Sequence, residues 1–353
     1  MAKGSRWVRW GCLGLLVPLA TGAAAWQGWA WWSWATQPAS PATPELAAQT
    51  VQIQIPPGTP GQQIGQDLEA AGLIRSALAW KLWSRWQSWQ NPEGGFQAGT
   101  YALNPTDSMT AIAEVIRAGQ VVQTSFTIPE GWNRRQMATY FEDAGFFSAA
   151  DFLAATEQVP WEQYPWLPAD IPHLEGFLFP DTYQLPATGV TPEAVVGIML
   201  SRFETAALPI YQQATTDLSL LDWATLASIV EKESVVPDER GLIAGVFTNR
   251  LEQNIPLGAD PTVEYGLGIN QTKEQPLTWE QVGTPSPYNT YINPGLPPTP
   301  IASAGQASLE ATLAPDATDY LFFVARYDGT HVFSRTLAEH EAARDAIRAT
   351  IDN

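Results

Sequence analysis

The first hydrophobic pattern along the chain is an uncharged run from residue 11 to residue 35, preceded by basic residues. As a helix, this run is long enough to cross a bilayer, and basic residues before it place the N-terminus in the cytoplasm. The pattern therefore predicts a cytoplasmic segment at residues 1–10 and a transmembrane helix at 11–35. A cleaved signal peptide ending near Ala25 is the alternative, and both interpretations put the remaining chain outside the cytoplasm.

The pattern beyond this run predicts a linker and a small mixed module. Residues 36–47 are rich in Pro, Ala and Ser, which is typical of a stiff linker. Alternating and helical apolar spacings then follow one another between residues 48 and 127. The predicted elements are strands over 51–55, 96–103 and 121–128 and helices over 61–73, 76–89 and 108–118. Their order and size indicate an α+β module at 48–127.

The remaining residues, 128–353, predict a larger α+β domain. Segment 160–186 is dense in Pro and aromatic residues, which excludes a regular helix and favours a rigid surface. Apolar spacing predicts helices over 223–234 and 238–251, and residues 320–343 have the pattern of a hairpin followed by a helix. The predicted fold class is α+β, with a transmembrane helix, a small module and a larger domain.

Two acids, Glu231 and Glu233, lie at the end of the predicted helix 223–234. Asp222 is the expected N-cap of this helix, and Pro237 prevents much continuation. At 100° per residue, one arc of the helix collects Trp223, Leu226, Ile229 and Val230. Glu233 falls inside this apolar arc, whereas Glu231 falls on the other side.

This difference makes Glu233 the better candidate for a general acid. A carboxyl group set in an apolar stripe loses solvation, which raises its pKa toward the range that proton donation near neutral pH requires. The alternative is a helix-end carboxylate paired with Arg240 or another cation. For Glu231 the pattern favours a solvated position, or a role in holding a neighbouring loop. Helical spacing therefore ranks the two acids without proving that either is catalytic.

Two loop segments downstream, 256–268 and 284–305, carry candidate substrate-binding residues. They are rich in Gly and Pro, yet they offer the hydroxyl, amide and aromatic groups that hold sugars. The candidates are Asp260, Thr262, Tyr288, Asn289 and Tyr291. Ordinary turn chemistry is the alternative for each of them, because Asn and Asp are favoured in turns.

Composition narrows the classes of function. The chain has 18 Lys and Arg against 36 Asp and Glu, a formal charge of -18 that repels nucleic acid. Its one cysteine, Cys12, lies in the N-terminal apolar run, so neither an internal disulfide nor a thiolate-rich metal site can form. The histidines His173, His331 and His340 are widely scattered. We therefore expect no metal site and no cofactor, and a carboxylate site for a hard cation is the alternative that composition leaves open.

Six separated motifs occur in the order typical of one enzyme family. They are LEGFLFPDTY, ASIVEKES, DERGLIAGVFTNRL, LGADPTVEYGLG, SPYNTYINPGLPPTPIASAG and YLFFVARYDGTHVFSRTLAEHEAA. Together they resemble the endolytic murein transglycosylases of the MltG (YceG-like) family. The resemblance implies a single-pass plasma-membrane enzyme with a LysM-like module near the membrane and an extracytoplasmic catalytic domain. It also implies that the second acid of the EKE motif, Glu233, is catalytic.

The resemblance implies a reaction as well. Such enzymes cut nascent peptidoglycan strands internally, between N-acetylmuramic acid and N-acetylglucosamine, and leave a 1,6-anhydro end that terminates elongation. Glu233 would act first as an acid and then as a base. Peptidoglycan synthesis proteins are the expected protein partners. A muramidase-type hydrolase, which needs a second carboxylate, and a non-catalytic wall-binding scaffold are the alternatives.

Overall fold

A computed structural model describes residues 5–43, 49–91, 95–186, 189–272, 275–326 and 328–351. The chain divides into two compact units, one formed by Met1–Thr124 with Gln184–Gly189 and the other by Ser125–Tyr183 with Val190–Asn353. Each unit combines helices with short strands, which confirms the predicted α+β class. Residues 1–4 of the predicted cytoplasmic segment and 44–47 of the predicted linker lie outside the described residues.

The N-terminal helix α1 runs over Ser5–Thr36 and includes the predicted transmembrane segment. Its last turns pack into the first unit, since Ala35 is fully buried and Trp31 and Trp32 lie against the core. Trp26 and Trp29, closer to the start of the helix, are 67% and 68% exposed. The end of α1 is therefore in direct contact with the rest of the first unit.

The rest of the first unit is a two-stranded sheet packed with three helices. Its elements are β1 (Val51–Ile55), α2 (Gly61–Ala70), α3 (Ala77–Gln90), β2 (Gly99–Leu103) and α4 (Met109–Arg117). Strands β1 and β2 are antiparallel, with Val51 opposite Leu103. Because side chains alternate between the two faces of a strand, Ile53 and Ile55 of VQIQI point to the same side, and both pack in the hydrophobic core that contains Trp80. The indole N–H of Trp80 donates to the Gly61 carbonyl at 2.8 Å and so ties α3 to α2.

Strands β3 (Gln123–Thr127) and β4 (Thr182–Pro186) pair with each other, and the boundary between the two units falls within both strands. Strand β4 lies in the segment 160–186 and was not predicted, because its five residues are too short a pattern beside so many Pro and aromatic residues. Phe126 stacks on Tyr183 with 5.1 Å between ring centroids. This aromatic contact fixes the start of the second unit.

The second unit is mostly helical. Its elements are α5 (Arg134–Asp143), α6 (Ala149–Glu157), α7 (Pro192–Ala206), α8 (Leu208–Gln213), α9 (Leu220–Glu233), α10 (Arg240–Glu252), α11 (Asp260–Leu267), α12 (Trp279–Val282), α13 (Gln306–Leu313), β5 (Phe322–Ala325), β6 (His331–Ser334) and α14 (Leu337–Ile351). Helix α9 packs against α10, α11 and α13, and its Trp223 indole N–H donates to the Leu309 carbonyl at 2.9 Å. The predicted hairpin is present as the antiparallel pair β5 and β6, although Tyr327 in its turn lies outside the described residues.

Within the described residues, one helical stretch, Pro192–Gln213, has the length and composition of a membrane span, with a mean hydropathy of 1.2. It comprises α7 and α8. Its large apolar side chains Val195, Met199, Leu200 and Phe203 are buried inside the second unit. Packing against the core therefore accounts for part of its apolar composition, since 39% of its most apolar 18-residue window is buried.

The helix that carries the two acids begins earlier than predicted. Helix α9 starts at Leu220, and Ser219 caps it by accepting a hydrogen bond from the Asp222 N–H at 3.1 Å. The predicted N-cap, Asp222, is wrong, because its carboxylate accepts a 2.6 Å hydrogen bond from the Ser219 hydroxyl instead. Serine and aspartate are both good N-caps, so the sequence allowed either start. The predicted end is close, since the last helical residue is Glu233 and Pro237–Glu239 forms a separate turn.

Candidate active site

Glu233 lies at the C-terminal end of α9 with a partly buried side chain. Within the described part of the chain, its carboxyl group makes neither a hydrogen bond nor an ion pair. Its pKa is raised to about 8, first by loss of solvation and then by the negative charges of Asp260 and Glu264, against the opposing charges of Arg250 and Lys232. The carbonyl end of a helix also disfavours an anion. The Glu233 carboxyl group therefore keeps its proton at neutral pH.

Glu231 lies on the other side of α9 and is held by the chain. Its Oε2 accepts hydrogen bonds from the Gly305 N–H at 3.1 Å and from the Ser308 hydroxyl at 2.6 Å. One turn earlier, the Ser228 hydroxyl oxygen accepts a hydrogen bond from the Ile301 N–H at 3.0 Å. This face of α9 therefore fixes the segment 301–308, and the loop-holding role is the one observed for Glu231.

The ion pair between Glu233 and Arg240, considered above as the alternative to catalysis, is not among the contacts of the described residues. Arg240 acts on Glu130 instead, where its positive charge opposes the rise in pKa that burial and Glu231 cause. Arg250, whose positive charge lowers the pKa of Glu233, is occupied by backbone carbonyls. It donates to Leu257 at 2.7 Å and to Leu321 at 2.5 Å. Glu233 thus has no ion-pair partner in the part of the chain that the structure describes.

Asp260 and Tyr291 lie beside Glu233 and are joined to each other. The Tyr291 hydroxyl donates a 2.6 Å hydrogen bond to Asp260 Oδ1, and the Tyr291 side chain is 41% exposed. Burial, the negative charge of Asp260 and this hydrogen bond together raise the pKa of Tyr291 above its ordinary value. The backbone at Gly258 has a φ of 57° and approaches the Tyr291 ring, so a side chain there would be strained. Two of the predicted binding residues therefore present polar groups next to the acid.

The other predicted binding residues support these loops from inside. Thr262 and Asn289 are completely buried. The Thr262 hydroxyl donates to the Ala259 carbonyl at 2.6 Å, and the Asn289 amide donates to Val282 and Thr284 carbonyls. Tyr288 is half-buried, and its hydroxyl lies 2.9 Å from Thr299 Oγ1. Thr262 and Asn289 therefore support from inside the loops that carry Asp260 and Tyr291, and the half-buried Tyr288 is held to Thr299 in the same region.

A cavity of about 170 Å³ in the second unit contains residues that sequence reasoning missed. Lys232 and Glu264, whose charges act on Glu233, both line it. Burial raises the pKa of Glu264, and its Oε1 accepts a 2.7 Å hydrogen bond from the Gln271 N–H. The signal for Glu264 was its position four residues after Asp260, which places both acids on one face of α11. Further lining residues are Asn133, Arg135, Gln136, Tyr265 and Asn270.

Behind this cavity, Glu175 of the LEGF motif forms a buried network. Its carboxyl group is 1% exposed and accepts hydrogen bonds from the Arg134 N–H at 3.0 Å and from the Tyr265 hydroxyl at 2.9 Å. Burial raises its pKa to about 7, against the lowering effect of Arg134. The network joins the LEGF segment to α5 and α11. In the sequence, the feature that could have indicated Glu175 was the presence of an acid within the mostly apolar LEGF motif.

The described residues hold no group of three or more His, Cys, Asp or Glu side chains arranged to bind a metal ion. The acids near Glu233 have other partners, since Asp260 accepts from Tyr291 and Glu264 from Gln271. The carboxyl group of Glu233 lies among polar and aromatic side chains and can transfer a proton.

Comparison with known proteins decides the family. A sequence model described as the YceG-like family matches residues 53–346, which include parts of both units. The chain belongs to the YceG-like family. The resemblance carried by the six motifs is thereby confirmed. Glu233, Asp260, Glu264 and Glu175 all lie within the matched range.

Known relatives carry the name endolytic murein transglycosylase. The relative from Bacillus subtilis strain 168 is 33% identical over 313 residues, which is 84% of this chain and 84% of the relative. The relative from Streptococcus pneumoniae serotype 2 is 30% identical over 326 residues, or 82% of this chain, and this chain spans 58% of that longer relative. A solved structure of a yceG-like protein from Listeria monocytogenes is 32% identical with a TM-score of 0.55, covering 84% of this chain and 99% of that one.

Proposed function

We propose that this family member is a lytic transglycosylase that cuts peptidoglycan glycan strands internally, between N-acetylmuramic acid and N-acetylglucosamine. The observation that carries the proposal is the carboxyl group of Glu233, which has no hydrogen-bond or ion-pair partner among the described residues and has a pKa of about 8. The names of the relatives from Bacillus and Streptococcus support the same substrate and reaction class. Glu231, Asp260 and Glu264 each accept a hydrogen bond from the chain, so among these four acids Glu233 is the one free to transfer a proton.

In the proposed mechanism, Glu233 serves as acid and then as base. It donates its proton to the glycosidic oxygen, and the bond from that oxygen to C1 of the muramyl residue breaks. The resulting carboxylate takes the proton of the muramyl C6 hydroxyl as O6 closes on C1, which gives a 1,6-anhydro end. The proton returns to Glu233 and no water is consumed. The charges of Asp260 and Glu264 favour this return, because they raise the pKa of the carboxyl group.

The groups proposed to hold the glycan are those that face the acid. Asp260 offers a carboxylate and the partly exposed Tyr291 offers an aromatic ring to a sugar. The adjoining cavity adds Arg135, Lys232 and Asn270, whose donors suit acyl, hydroxyl and carboxylate oxygens. Thr262, Tyr288 and Asn289 are assigned to loop support.

A muramidase-type hydrolase is the second candidate, and Asp260 is the observation that favours it. A hydrolase needs a second carboxylate that acts as nucleophile or activates water. Asp260 is the nearby acid that acts most strongly on Glu233. Its Oδ1 is occupied by Tyr291, which weakens it as a base. The two candidates differ in their products, because hydrolysis adds one water and leaves reducing ends.

The test is digestion of purified glycan strands by the full-length chain, followed by mass analysis of the products. Anhydro ends support the transglycosylase, whereas products one water heavier would replace it by the hydrolase. Glu233→Gln should abolish cutting, and Glu231→Gln should retain it. A third result, binding of strands without any cutting, would leave the chain as a wall-binding scaffold.

We also propose that residues 11–35 anchor the protein in the plasma membrane, with residues 1–10 in the cytoplasm and the catalytic domain outside. The uncharged composition of this run and the helical conformation of α1 support a span. The β-α-α-β order of the first unit supports a LysM-like module at 48–127 and a catalytic domain at 128–353. Placement beside the membrane would bring the enzyme to nascent strands and to peptidoglycan synthesis proteins. Protease protection in sealed vesicles tests the orientation.

A further inference from the structure

Helix α3 of the first unit carries a row of large apolar side chains on its outer face. Leu78, Leu82, Trp86 and Trp89 are 58%, 48%, 51% and 80% exposed. Helical geometry places the four within one arc of roughly 80°, at 100° per residue. We call them the α3 stripe. A contiguous exposed row of this kind marks a surface that meets an apolar partner or a membrane.

The charges of α3 point to the kind of partner. Its sequence, ALAWKLWSRWQSWQ, contains Lys81 and Arg85 and no acid, although the whole chain has a formal charge of -18. Tryptophan and leucine bordered by basic residues are typical of helices that lie in the headgroup region of a bilayer. Trp80 and Trp83 on the inner face are buried, so the helix is held rigidly in this orientation.

The α3 stripe is continuous with the end of α1. Ala35 is fully buried in the first unit, and the Arg75 guanidinium donates to the Trp34 carbonyl at 3.3 Å while lying 5.7 Å from the centroid of the Trp34 ring. Between α1 and α3 lies a cavity of about 650 Å³, lined mainly by apolar groups. Its lining residues include Trp32, Leu82, Trp83 and Trp86. The tryptophans and Leu82 that line this cavity thus connect the end of α1 to the stripe, with Thr36, Gln37, Ser108 and Thr110 also in its wall.

The length of α1 fixes the depth at which this contact occurs. About 20 helical residues cross the hydrocarbon core of a bilayer. If the span begins at residue 11, residues 31–35 lie in the headgroup layer. Trp31, Trp32 and Ala35, which pack into the first unit, belong to this part of α1. The neighbouring helix α3 is therefore held at the depth of the headgroups.

We propose that α3 is the membrane-facing surface of the first unit, and that the α3 stripe inserts into the headgroup layer of the bilayer that holds α1. Lys81 and Arg85 contact anionic headgroups at the same depth. This proposal rests on the proposed membrane anchoring. In this arrangement the first unit lies directly on the bilayer surface and is not held away from the bilayer by a linker.

The experiment uses the full-length chain in lipid vesicles with one fluorescent label attached at a chosen residue, and quenching reports the depth of that residue. Cys12→Ser removes the single cysteine, after which Leu82→Cys places an environment-sensitive label on the stripe. Gln66→Cys on the exposed side of α2 is the matched control. The label at residue 82 should shift to the blue and be quenched by nitroxides on lipid headgroups. The label at residue 66 should be quenched by aqueous iodide.

A second pair of measurements tests the charges. In vesicles that contain anionic lipid, headgroup quenching at residue 82 should be stronger than in purely zwitterionic vesicles. The combined variant Lys81→Gln and Arg85→Gln should remove this difference. If the label at residue 82 is as accessible to iodide as the control, the proposal is overturned. Self-quenching that grows with the ratio of protein to lipid would instead assign the stripe to a second copy of the chain, which also overturns it.

Alkaline carbonate extraction of the same vesicles separates this proposal from the anchoring on which it rests. A chain that resists extraction while the residue 82 label remains in water is anchored, so only the role of α3 fails. A chain that is extracted contradicts the anchoring as well. Glycan digestion by the same samples reports the catalytic proposal independently of both.

Discussion

The Ser308 hydroxyl donates a 2.6 Å hydrogen bond to Glu231 Oε2, and this bond holds the first acid of the EKE motif in place within the protein. The Gly305 N–H donates to the same oxygen at 3.1 Å. Glu233, two residues later, has no such partner within the described residues. Two acids of the same type at one helix end are thus separated by hydrogen bonding, and the same substitution should affect them differently.

Replacing each acid by glutamine should distinguish the proposed catalytic role of Glu233 from the loop-holding role of Glu231. Glu233→Gln removes the proposed proton donor, and we expect kcat/KM on glycan strands to fall by at least about a hundredfold. Glu231→Gln keeps the shape of a loop-holding group, and we expect a loss of less than about tenfold, since no reacting proton is involved. Release of anhydro-ended fragments measures both. Equal losses in the two variants would contradict the assignment.

The bond between Glu231 and Ser308 should contribute to stability. Ser308→Ala leaves a carboxylate oxygen with one partner fewer, and we expect a loss of about 1.5–3 kcal/mol in the free energy of unfolding. Chemical denaturation measures this loss. In a Glu231→Gln background, Ser308→Ala should cost less, because the charge-assisted bond is already gone. The same cost in both backgrounds would show that the two side chains act independently.

The pH dependence of activity should follow the charges around Glu233. With a pKa of about 8, the acid loses its proton and activity falls as the pH rises through this value. Asp260→Asn removes a charge that raises the pKa, so the fall should occur at lower pH. Lys232→Met removes a charge that lowers it, so the fall should occur at higher pH. Profiles of kcat/KM against pH measure both, and shifts of the same sign would be inconsistent with the electrostatic account.

The raised pKa of Glu233 should also be visible in stability. The pKa of Glu233 is 4.5 in its ordinary state and about 8 in the folded chain, so folding favours the protonated form of this acid. Its contribution to the free energy of unfolding is therefore fully present below about pH 4.5 and is lost as the pH rises to about 8. Glutamine cannot ionise and avoids this loss. We therefore expect Glu233→Gln to raise Tm at pH 8 and to leave it nearly unchanged at pH 4.5. Thermal unfolding at the two pH values tests the sign.

Removing the buried acid Glu175 should destabilise the second unit strongly. Glu175→Ala leaves the Arg134 guanidinium, already 3.8 Å from its partner, buried without a carboxylate. We expect a loss of about 3–5 kcal/mol in the free energy of unfolding. Tyr265→Phe removes one neutral donor and should cost less, about 1–2 kcal/mol. Chemical denaturation of the two variants measures both losses. A larger loss for Tyr265→Phe than for Glu175→Ala would show that the tyrosine contributes more than the acid to the stability of the network.

Much of this arrangement followed from local patterns in the sequence. The alternation in VQIQI and the helical spacing before Glu233 gave elements that the structure contains, because periods of two and 3.6 residues depend on nearby side chains alone. Strand β4 did not follow, since its conformation depends on pairing with β3 across the chain. The start of α9 was also missed, because Ser219 and Asp222 are equivalent caps until the helix is packed.

The candidate site divides in the same way. Helical spacing ranked Glu233 above Glu231, yet both faces of α9 are buried, with Ala227 and Ser228 at 0% exposure. The apolar arc alone therefore did not separate the acids. What separates them is that one face meets the segment around Ser308, which donates hydrogen bonds, while the other meets the charges of α11.

The sequence by itself determined the family motifs, the uncharged N-terminal run and which helix carries the acid, because these are properties of neighbouring residues. The tertiary structure alone decided the pKa of Glu233, the buried partners of Glu175 and the contact between the end of α1 and α3. Each of these depends on residues far apart in the chain. Loss of solvation and the approach of distant charges arise only when the chain is folded.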